Sequence, residues 1–289
     1  MTTDGAIDFS LIMATANRAR EVEAFIESLN MREGPTFELI VVDQNPDDRV
    51  TVVLEKYKHI ININHVRTTQ RGLSRARNLG LPLARGKYVC FPDDDCLYSQ
   101  NLLSFVLSQF GRHDCDLVAV KSIDRDSGRI SNGYWLTRPA AIRGRNVIGT
   151  IVSYGFFIRA SRIKGLHFDE RMGVGAPFGS AEEVDFVLEL LHRGASGRYF
   201  PERCAYHPSK DLDGHRAFTY GLGFGALVRK EVFVRGGVGF LLVGLEHGLR
   251  PLAGFVLAIV LCDRNRIEVY WNTLKGRLLG FWRYSPNEQ

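Results

Sequence analysis

The sequence predicts an α/β protein, a mostly parallel sheet flanked by helices, with a helical and apolar C-terminal appendage. Three observations predict it. Short β-favouring apolar runs at residues 9–14, 37–42 and 88–91 alternate with segments whose apolar residues recur at three- and four-residue spacing. Each run ends abruptly in polar or acidic residues: Thr15-Ala16-Asn17-Arg18, Asp43-Gln44-Asn45 and, after Pro92, Asp93-Asp94-Asp95. From Phe218 onward the composition turns glycine-rich and apolar. We therefore expect an α/β domain over residues 1–215 and an apolar, basic helical region over 216–289.

Taken in order, residues 9–14 form the first strand. Asn17 is placed to cap the next helix, in which Val22, Phe25, Ile26 and Leu29 share one face. The second strand, 37–42, is stopped by Asp43 and Pro46, and a β-α-β unit of this kind gives a parallel pair with a right-handed crossover. A more polar third strand follows at 60–66. Leu73, Ala76, Leu79, Gly80 and Leu83 then mark a helix. Pro82 should kink or break it, at a cost of ~3 kcal/mol. The strand at 88–91 reads as buried on both faces, and Pro92 ends it because proline has no N–H for the ladder. A helix at 102–110, a strand at 117–120, a β-like segment at 147–158 and a strand at 198–200 continue the pattern. Parallel sheets bind ligands beyond the carboxyl ends of their strands, so the polar run-ends are the candidate site.

Composition narrows the function classes. With 45% hydrophobic and 24% charged residues the chain folds around a core. The net charge of +5 is spread thinly, with no Lys/Arg block and no zinc-finger or RNA-binding signature. It favours phosphates, nucleotides or an anionic surface and speaks against nucleic acid. Five cysteines without a CxxC spacing suggest neither a zinc site nor a disulfide framework, and free thiols fit a reducing compartment. The N-terminus carries Asp4 and Asp8 and no basic-then-apolar leader, so we expect no signal peptide and a cytoplasmic location. No Gly-x-Gly-x-x-Gly and no P-loop follows the first strand. A nucleotide here would be held mainly by side chains and a metal.

Three adjacent carboxylates repel one another and are comfortable only with a cation or strong solvation. Mg2+ and Mn2+ take oxygen ligands, usually one or two carboxylates plus the phosphates of a substrate. A solvated acidic turn is the plainer alternative. Four further stretches bear on the choice: Ser10-Leu-Ile-Met-Ala-Thr-Ala-Asn-Arg18, Glu38-Leu-Ile-Val-Val-Asp43, Gly72-Leu-Ser-Arg-Ala-Arg-Asn-Leu-Gly80 and Ala84-Arg-Gly-Lys-Tyr88. In this order, with Asp93-Asp94-Asp95 after them, they resemble family 2 glycosyltransferases of the GT-A fold over residues 8–100.

The resemblance implies that Thr15, Asn17 and Arg18 line a base pocket and that Asp43 accepts a hydrogen bond from the base. It implies that Arg71, Arg77 and Asn78 lie near the base or diphosphate, although Arg77 reads equally well as an exposed helix residue. Asp94 would reach the ribose, and Asp93 and Asp95 would hold Mg2+ or Mn2+. The family often has Asp-Gly-Ser after its second strand where this chain has Asp43-Gln44-Asn45, which leaves the base open.

A second acidic group opens a helix running to Arg193, with Gly194 as its stop and Val184, Val187, Leu188 and Leu191 on its apolar face. Ser180-x-x-Glu183 reads as a capping box, and acids suit the first turn of a helix. An inverting glycosyl transfer also needs a general base on a rigid element. The family's Gly-Glu-Asp-x-Asp, with the second acid as base, appears here as Ala181-Glu182-Glu183-Val184-Asp185. The base is therefore Glu183 or Glu182. His207 is a candidate further metal ligand by analogy with some GT-A enzymes. Tyr134, Trp135 and Arg138 receive no role.

In the tail, residues 236–245 and 251–262 carry no charge, and the longer run is twelve residues against the roughly 20 that a spanning helix needs. A core helix pair and an interfacial pair both fit. Trp271, Phe281, Trp282 and Tyr284, interspersed with Arg264, Arg266, Lys275, Arg277 and Arg283, suit contact with the inner face of a membrane.

The reading that results is a glycosyltransferase taking a nucleoside diphosphate sugar as donor and a glycan or lipid-linked hydroxyl as acceptor, in envelope or exopolysaccharide synthesis. A sugar nucleotidyltransferase would call for a glycine-rich loop and a basic residue within 10–20. A non-catalytic nucleotide-sugar-binding subunit would have no need of acids at both sites.

Overall fold

The computed structural model describes residues 6–29, 33–131 and 134–286; Asp4 lies outside them. The elements run β1 (Phe9–Thr15), α1 (Arg20–Ser28), β2 (Phe37–Asp43), α2 (Arg49–Glu55), β3 (Asn62–Arg67), α3 (Leu73–Gly80), β4 (Tyr88–Cys90), β5 (Leu97–Tyr98), α4 (Leu102–Arg112), β6 (Leu117–Ile123), β7 (Ala140–Ala141), β8 (Phe156–Arg159), α5 (Glu182–His192), β9 (Gly197–Tyr206), α6 (Gly214–Phe233), α7 (Phe240–Val260) and α8 (Arg264–Arg283). Contacts divide the chain into two units. One holds Met1–Arg71, Arg75–His167 and Arg193–Ser209, the other Gly72–Ser74, Phe168–His192 and Lys210–Gln289.

The first unit contains the sheet. Among the described residues nine strands join in the order β3-β2-β1-β4-β8-β6-β9-β5, with β7 also on β9. β3, β2, β1 and β4 are mutually parallel, as the β-α-β reading requires. Every residue of β1 and β4 is buried, which is why both read as unbroken apolar runs. Ser10, Glu38 and Arg85 clasp the strand ends opposite the acidic turn. Ser10 Oγ donates to Glu38 Oε1 at 2.6 Å, and the Arg85 guanidinium reaches Glu38 Oε2 at 2.7 Å. Glu38 is fully buried, so both partners are needed to offset its desolvation.

Several expectations change. α1 starts at Arg20 with Ala19 as its N-cap residue and no side-chain cap. Asn17 does not cap it: at φ +63° the residue turns the loop in the left-handed region, which asparagine tolerates. The short helix α2, with Val50, Val53 and Leu54 inward, is not singled out by the sequence pattern. Pro82 acts as expected, since α3 stops at Gly80 and one 3-10 turn, Leu81–Leu83, follows. Of the segment read as β-like at 147–158, only its last residues are extended; Gly144–Gly149 and Ser153–Gly155 are 3-10 turns.

In the second unit α6 and α8 meet along glycines. A Cβ on Gly221 would lie 2.7 Å from the Thr273 carbonyl oxygen and 3.1 Å from Gly276 Cα, so only glycine lets the two backbones approach this closely. The two uncharged tail runs lie for most of their length in one continuous helix, α7, with Pro251 inside it. Proline cannot donate to the carbonyl four residues back, that of His247. The Arg277 guanidinium from α8 donates to that carbonyl instead and lies over the Phe224 ring at 4.6 Å. Burial lowers the Arg277 pKa to about 10.

This exchange is testable by a double-mutant cycle. Arg277→Met should cost about 2 kcal/mol by stranding a part-buried carbonyl and losing a stacked cation. In a Pro251→Ala background, where the helix supplies its own donor, the cost should shrink by about 1 kcal/mol. Denaturant unfolding of the four proteins reads the coupling; strict additivity would refute it.

Candidate active site

The parallel order places the carboxyl ends of β1, β2 and β4 along one edge of the sheet, and chain order reverses between β1 and β4. The acidic turn leaves β4 at that point, with Asp93 bridged to Ala14 of β1. Each acid is held differently. Asp94 is buried; it accepts from Thr15 Oγ1 at 2.8 Å and pairs with the Arg18 guanidinium. Burial pushes its carboxyl above the ordinary carboxylate range, against the pull of Arg18 and the Thr15 hydroxyl. Asp93 accepts from Arg77 NH2 at 2.8 Å and from Ser153 Oγ at 3.3 Å. Asp95 lies 3.0 Å from Arg18 NH2 and 3.1 Å from His207 Nε2.

Arg77 is fully buried, which corrects its reading as an exposed helix residue. Its partner Asp93 and the Phe91 ring, 6.0 Å from its guanidinium carbon, account for its position.

His207 follows directly on β9, which runs further than the sequence suggests, to Tyr206. Its Nδ1 donates to the Pro208 carbonyl at 2.8 Å, and its ring stacks on Tyr154 at 4.9 Å and 9°. Tyr154 is in turn within hydrogen-bond reach of Ser122 Oγ at 2.7 Å. With Nδ1 committed to a carbonyl, the neutral ring presents a lone pair at Nε2 toward the Asp95 carboxylate. Two facing acceptors at 3.1 Å suit a cation between them or a protonated ring. One ligand atom each from Asp93, Asp95 and His207 lies within 4.8 Å of the others. Two carboxylates and one oriented imidazole fit Mn2+ and, with more of the shell left to water or phosphate, Mg2+.

A second group lies at the end of β2. Asp43 is fully buried; its Oδ1 accepts from the Asn45 backbone N–H at 2.9 Å and the Asn45 side-chain amide at 2.7 Å, and its Oδ2 faces His65 Nε2 at 3.0 Å. The Asn45 side-chain oxygen accepts from the Asn17 N–H at 2.6 Å, which ties the left-handed turn to this group. The departure Asp-Gln-Asn is thus the device that fixes the Asp43 carboxylate. Nothing in the sequence points to His65, a lone histidine in a polar strand. Arg71 is exposed on the loop before α3, and Asn78 is half-buried on that helix.

In the second unit α5 begins at Glu182, one residue later than a capping box on Ser180 requires, and Ser180 Oγ instead donates to the Tyr220 carbonyl. Ala181 precedes the helix at φ +70°. This is the position where the family pattern has glycine, and the left-handed backbone is the reason glycine suits it. Glu182 is buried and Glu183 half-buried. Gly173, at φ +95°, has no room for a side chain, since a Cβ would fall 2.9 Å from Ser74 Oγ and 3.1 Å from Glu182 Cδ. Asp185 is committed to Lys230 Nζ at 2.9 Å and Arg235 NH1 at 2.8 Å. Burial would raise the Asp169 carboxyl, but Arg171 and Lys230 overcome it and hold the group well below the usual range. Tyr284 donates to it at 2.9 Å.

Solved structures define the fold. The mannosyltransferase PcManGT from Pyrobaculum calidifontis, in complex with GDP-Man and Mn2+, superposes with a TM-score of 0.66 at 13% identity, covering 98% of this chain and 89% of that one. Staphylococcus aureus TarS 1–349 in complex with UDP-GlcNAc gives 0.61 at 16% identity, covering 98% of both. The fold is that of GT-A glycosyltransferases. Residues 10–169, more than half of the chain, match the model of Glycosyl transferase family 2, and the chain belongs to that family. It is 30% identical over 179 residues to the minor teichoic acid biosynthesis protein GgaB of Bacillus subtilis, covering 58% of this chain. It is 28% identical over 117 residues to the poly(ribitol-phosphate) beta-N-acetylglucosaminyltransferase TarS of Staphylococcus aureus, covering 39% of this chain. The matched region is 20% of the length of each of these relatives.

Two stability measurements follow. Ala181→Gly should stabilise the protein by ~1 kcal/mol, because glycine takes a positive φ without the Cβ penalty; a loss on chemical denaturation would contradict it. The Asp169 carboxyl has a folded pKa below its unfolded value, so its contribution is present above the unfolded pKa, about 3.9, and fades as pH falls below that. Asp169→Asn should therefore be least stable relative to wild type near neutrality, with the gap narrowing in acid. A gap independent of pH would show that the carboxylate charge is not what matters.

Proposed function

We propose that this chain is a cytoplasmic, metal-dependent, inverting glycosyltransferase. It moves a sugar from a nucleoside diphosphate donor to a hydroxyl of a glycan or lipid-linked acceptor in envelope or exopolysaccharide synthesis. The observation that carries the reading is the convergence of Asp93, Asp95 and His207 where β1 and β4 part, beside the Thr15–Asp94–Arg18 group. Family membership supports it, and a uridine diphosphate sugar is the first donor to test, since TarS is described in complexes with UDP-GlcNAc and UDP. A position at the inner face of the membrane would suit a lipid-linked acceptor.

On this reading Asp93, Asp95 and His207 hold Mg2+ or Mn2+, which when bound offsets charge developing on the leaving diphosphate. Asp94, fixed by Thr15 and Arg18, binds the ribose. Asp43, its orientation set by Asn45 and His65, receives a base N–H. Thr15, Asn17 and Arg18 line that pocket, and Arg71 and Asn78 contact base or diphosphate. Arg77, buried on Asp93, positions that ligand. Glu183 takes the proton of the acceptor hydroxyl as its oxygen bonds to the anomeric carbon and the bond from that carbon to the diphosphate breaks. Glu183 has the register of the family's base and is the less buried of the pair, which favours it over Glu182.

The test is a panel of nucleotide sugars scored by thermal shift and by turnover with Mn2+, with Mg2+ and with chelator. A donor should stabilise the wild type only with metal, and Asp95→Ala and His207→Ala should lose that shift. Glu183→Gln should keep the shift and lose at least ~100-fold in kcat, and Glu182→Gln should lose less. Absence of any donor-linked shift under all metal conditions would overturn the reading, and a shift without turnover in wild type would make the chain a binding subunit.

A further inference from the structure

α7 is apolar on both sides. Its inner side, with Phe240, Val243, Pro251 and Ala258 buried, packs on α6 and α8. Its outer side presents Leu242, Leu245, Leu249, Leu252, Val256 and Ile259, from 47% to 71% exposed, and Leu257 and Val260 widen the strip. A helix apolar all round is ordinarily covered on all sides.

We propose that this face docks on an anionic lipid bilayer, with α7 lying along the surface and α8 beside it at headgroup level. Three observations select this occupant. The residues flanking the strip, Glu246, Gly248, Ala253, Phe255 and Cys262, include a single charge, so the ion pairs that set a helical partner in a coiled coil have no basis here. Residues 210–289 hold eleven Lys and Arg against seven Asp and Glu, which is most of the chain's excess positive charge. That excess attracts anionic headgroups and repels a second copy of itself. On α8, Arg264, Trp271, Lys275, Leu278 and Trp282 recur at seven-, four- and three-residue spacing and are all exposed, the tryptophans by 55% and 74%. The two indoles stand on one side of the helix about 16 Å apart, an arrangement of aromatic and cation that settles at the headgroup boundary.

By length and composition α7 is the one helix among the described residues that could cross a membrane. The exposed Glu246–Arg250 pair near its middle, and an inner side already packed on helices with exposed Arg264, Arg266 and Glu268, make it lie on the surface rather than cross.

The full chain is mixed with vesicles of phosphatidylcholine alone and of phosphatidylcholine with phosphatidylglycerol, and its oligomeric state is measured by light scattering. It should float with the anionic vesicles alone, release with rising salt, and show fluorescence quenched by brominated acyl chains, since Trp135 is buried and Trp271 and Trp282 are not. The Leu249→Glu/Val256→Glu variant should bind at least ~tenfold more weakly while keeping its melting temperature. Should that variant not fold, quenching in the unmodified chain decides alone. No flotation, a dimer that the substitutions dissociate, or resistance to alkaline extraction, which marks a spanning helix, would each overturn the proposal. Vesicle binding is read without donor or metal, so it fails or succeeds independently of glycosyl transfer.

Discussion

Three carboxylates on consecutive residues set the terms for the first unit. At an effective dielectric of about 20, like charges 4 Å apart repel by roughly 4 kcal/mol, so a turn such as Asp93-Asp94-Asp95 holds its shape only with positive charge supplied from elsewhere. The chain supplies it from two directions, Arg77 to Asp93 and Arg18 to Asp94 and Asp95, while His207 Nε2 faces Asp95. The compensation is uneven. Asp94 is buried with a hydroxyl and a guanidinium, whereas Asp93 and Asp95 keep partial exposure on the side of the His207 lone pair. A divalent ion would add charge where the protein has provided least.

The turn can sit where it does because the opposite ends of the strands are fixed. Glu38 is buried on β2, Ser10 lies beside it on β1, and Arg85 arrives just before β4, so one carboxylate ties three strands in register. A one-residue slip of β4 would carry the acids to the other face of the sheet and leave Glu38 without Arg85. This also explains why the stretches around Ser10, Glu38 and Arg85 accompany the acidic turn in the sequence: they are the other end of the same strands.

That coupling accounts for how much could be read without coordinates. β1, β2 and β4 are legible because strands buried on both faces must be apolar throughout, and a proline or an acid ends them visibly. The acidic turn is legible because three consecutive carboxylates break off an apolar run abruptly. What the pattern hides depends on partners distant in sequence. The role of His207 needs the length of β9 and the carbonyl that fixes its tautomer. The continuity of α7 needs Arg277, 26 residues beyond the proline whose missing donor it replaces. The segment at 147–158 has β-branched residues, but it turns twice before its last three residues enter the ladder between β4 and β6. Asn17 and Ala181 depend on a positive φ, which neither residue type announces.

In the second unit charged side chains are buried beside apolar ones, Asp185 and Glu231 among them. Along α5, Asp185, Glu189 and His192 form one stripe, and they meet Lys230, Glu231 and Arg235 at the end of α6. An apolar contact between two helices tolerates a change of rotation with modest loss, because one aliphatic side chain can replace another. The buried Asp185 does not: turning α5 by one residue would leave it without either cation, at a cost of about 3–5 kcal/mol. Glu182 and Glu183 lie less than one turn from Asp185, so the direction in which they point is fixed by these ion pairs more firmly than by the apolar face of Val184, Val187 and Leu188. Asp185, the third acid of the run, is therefore committed to ion pairs within the second unit.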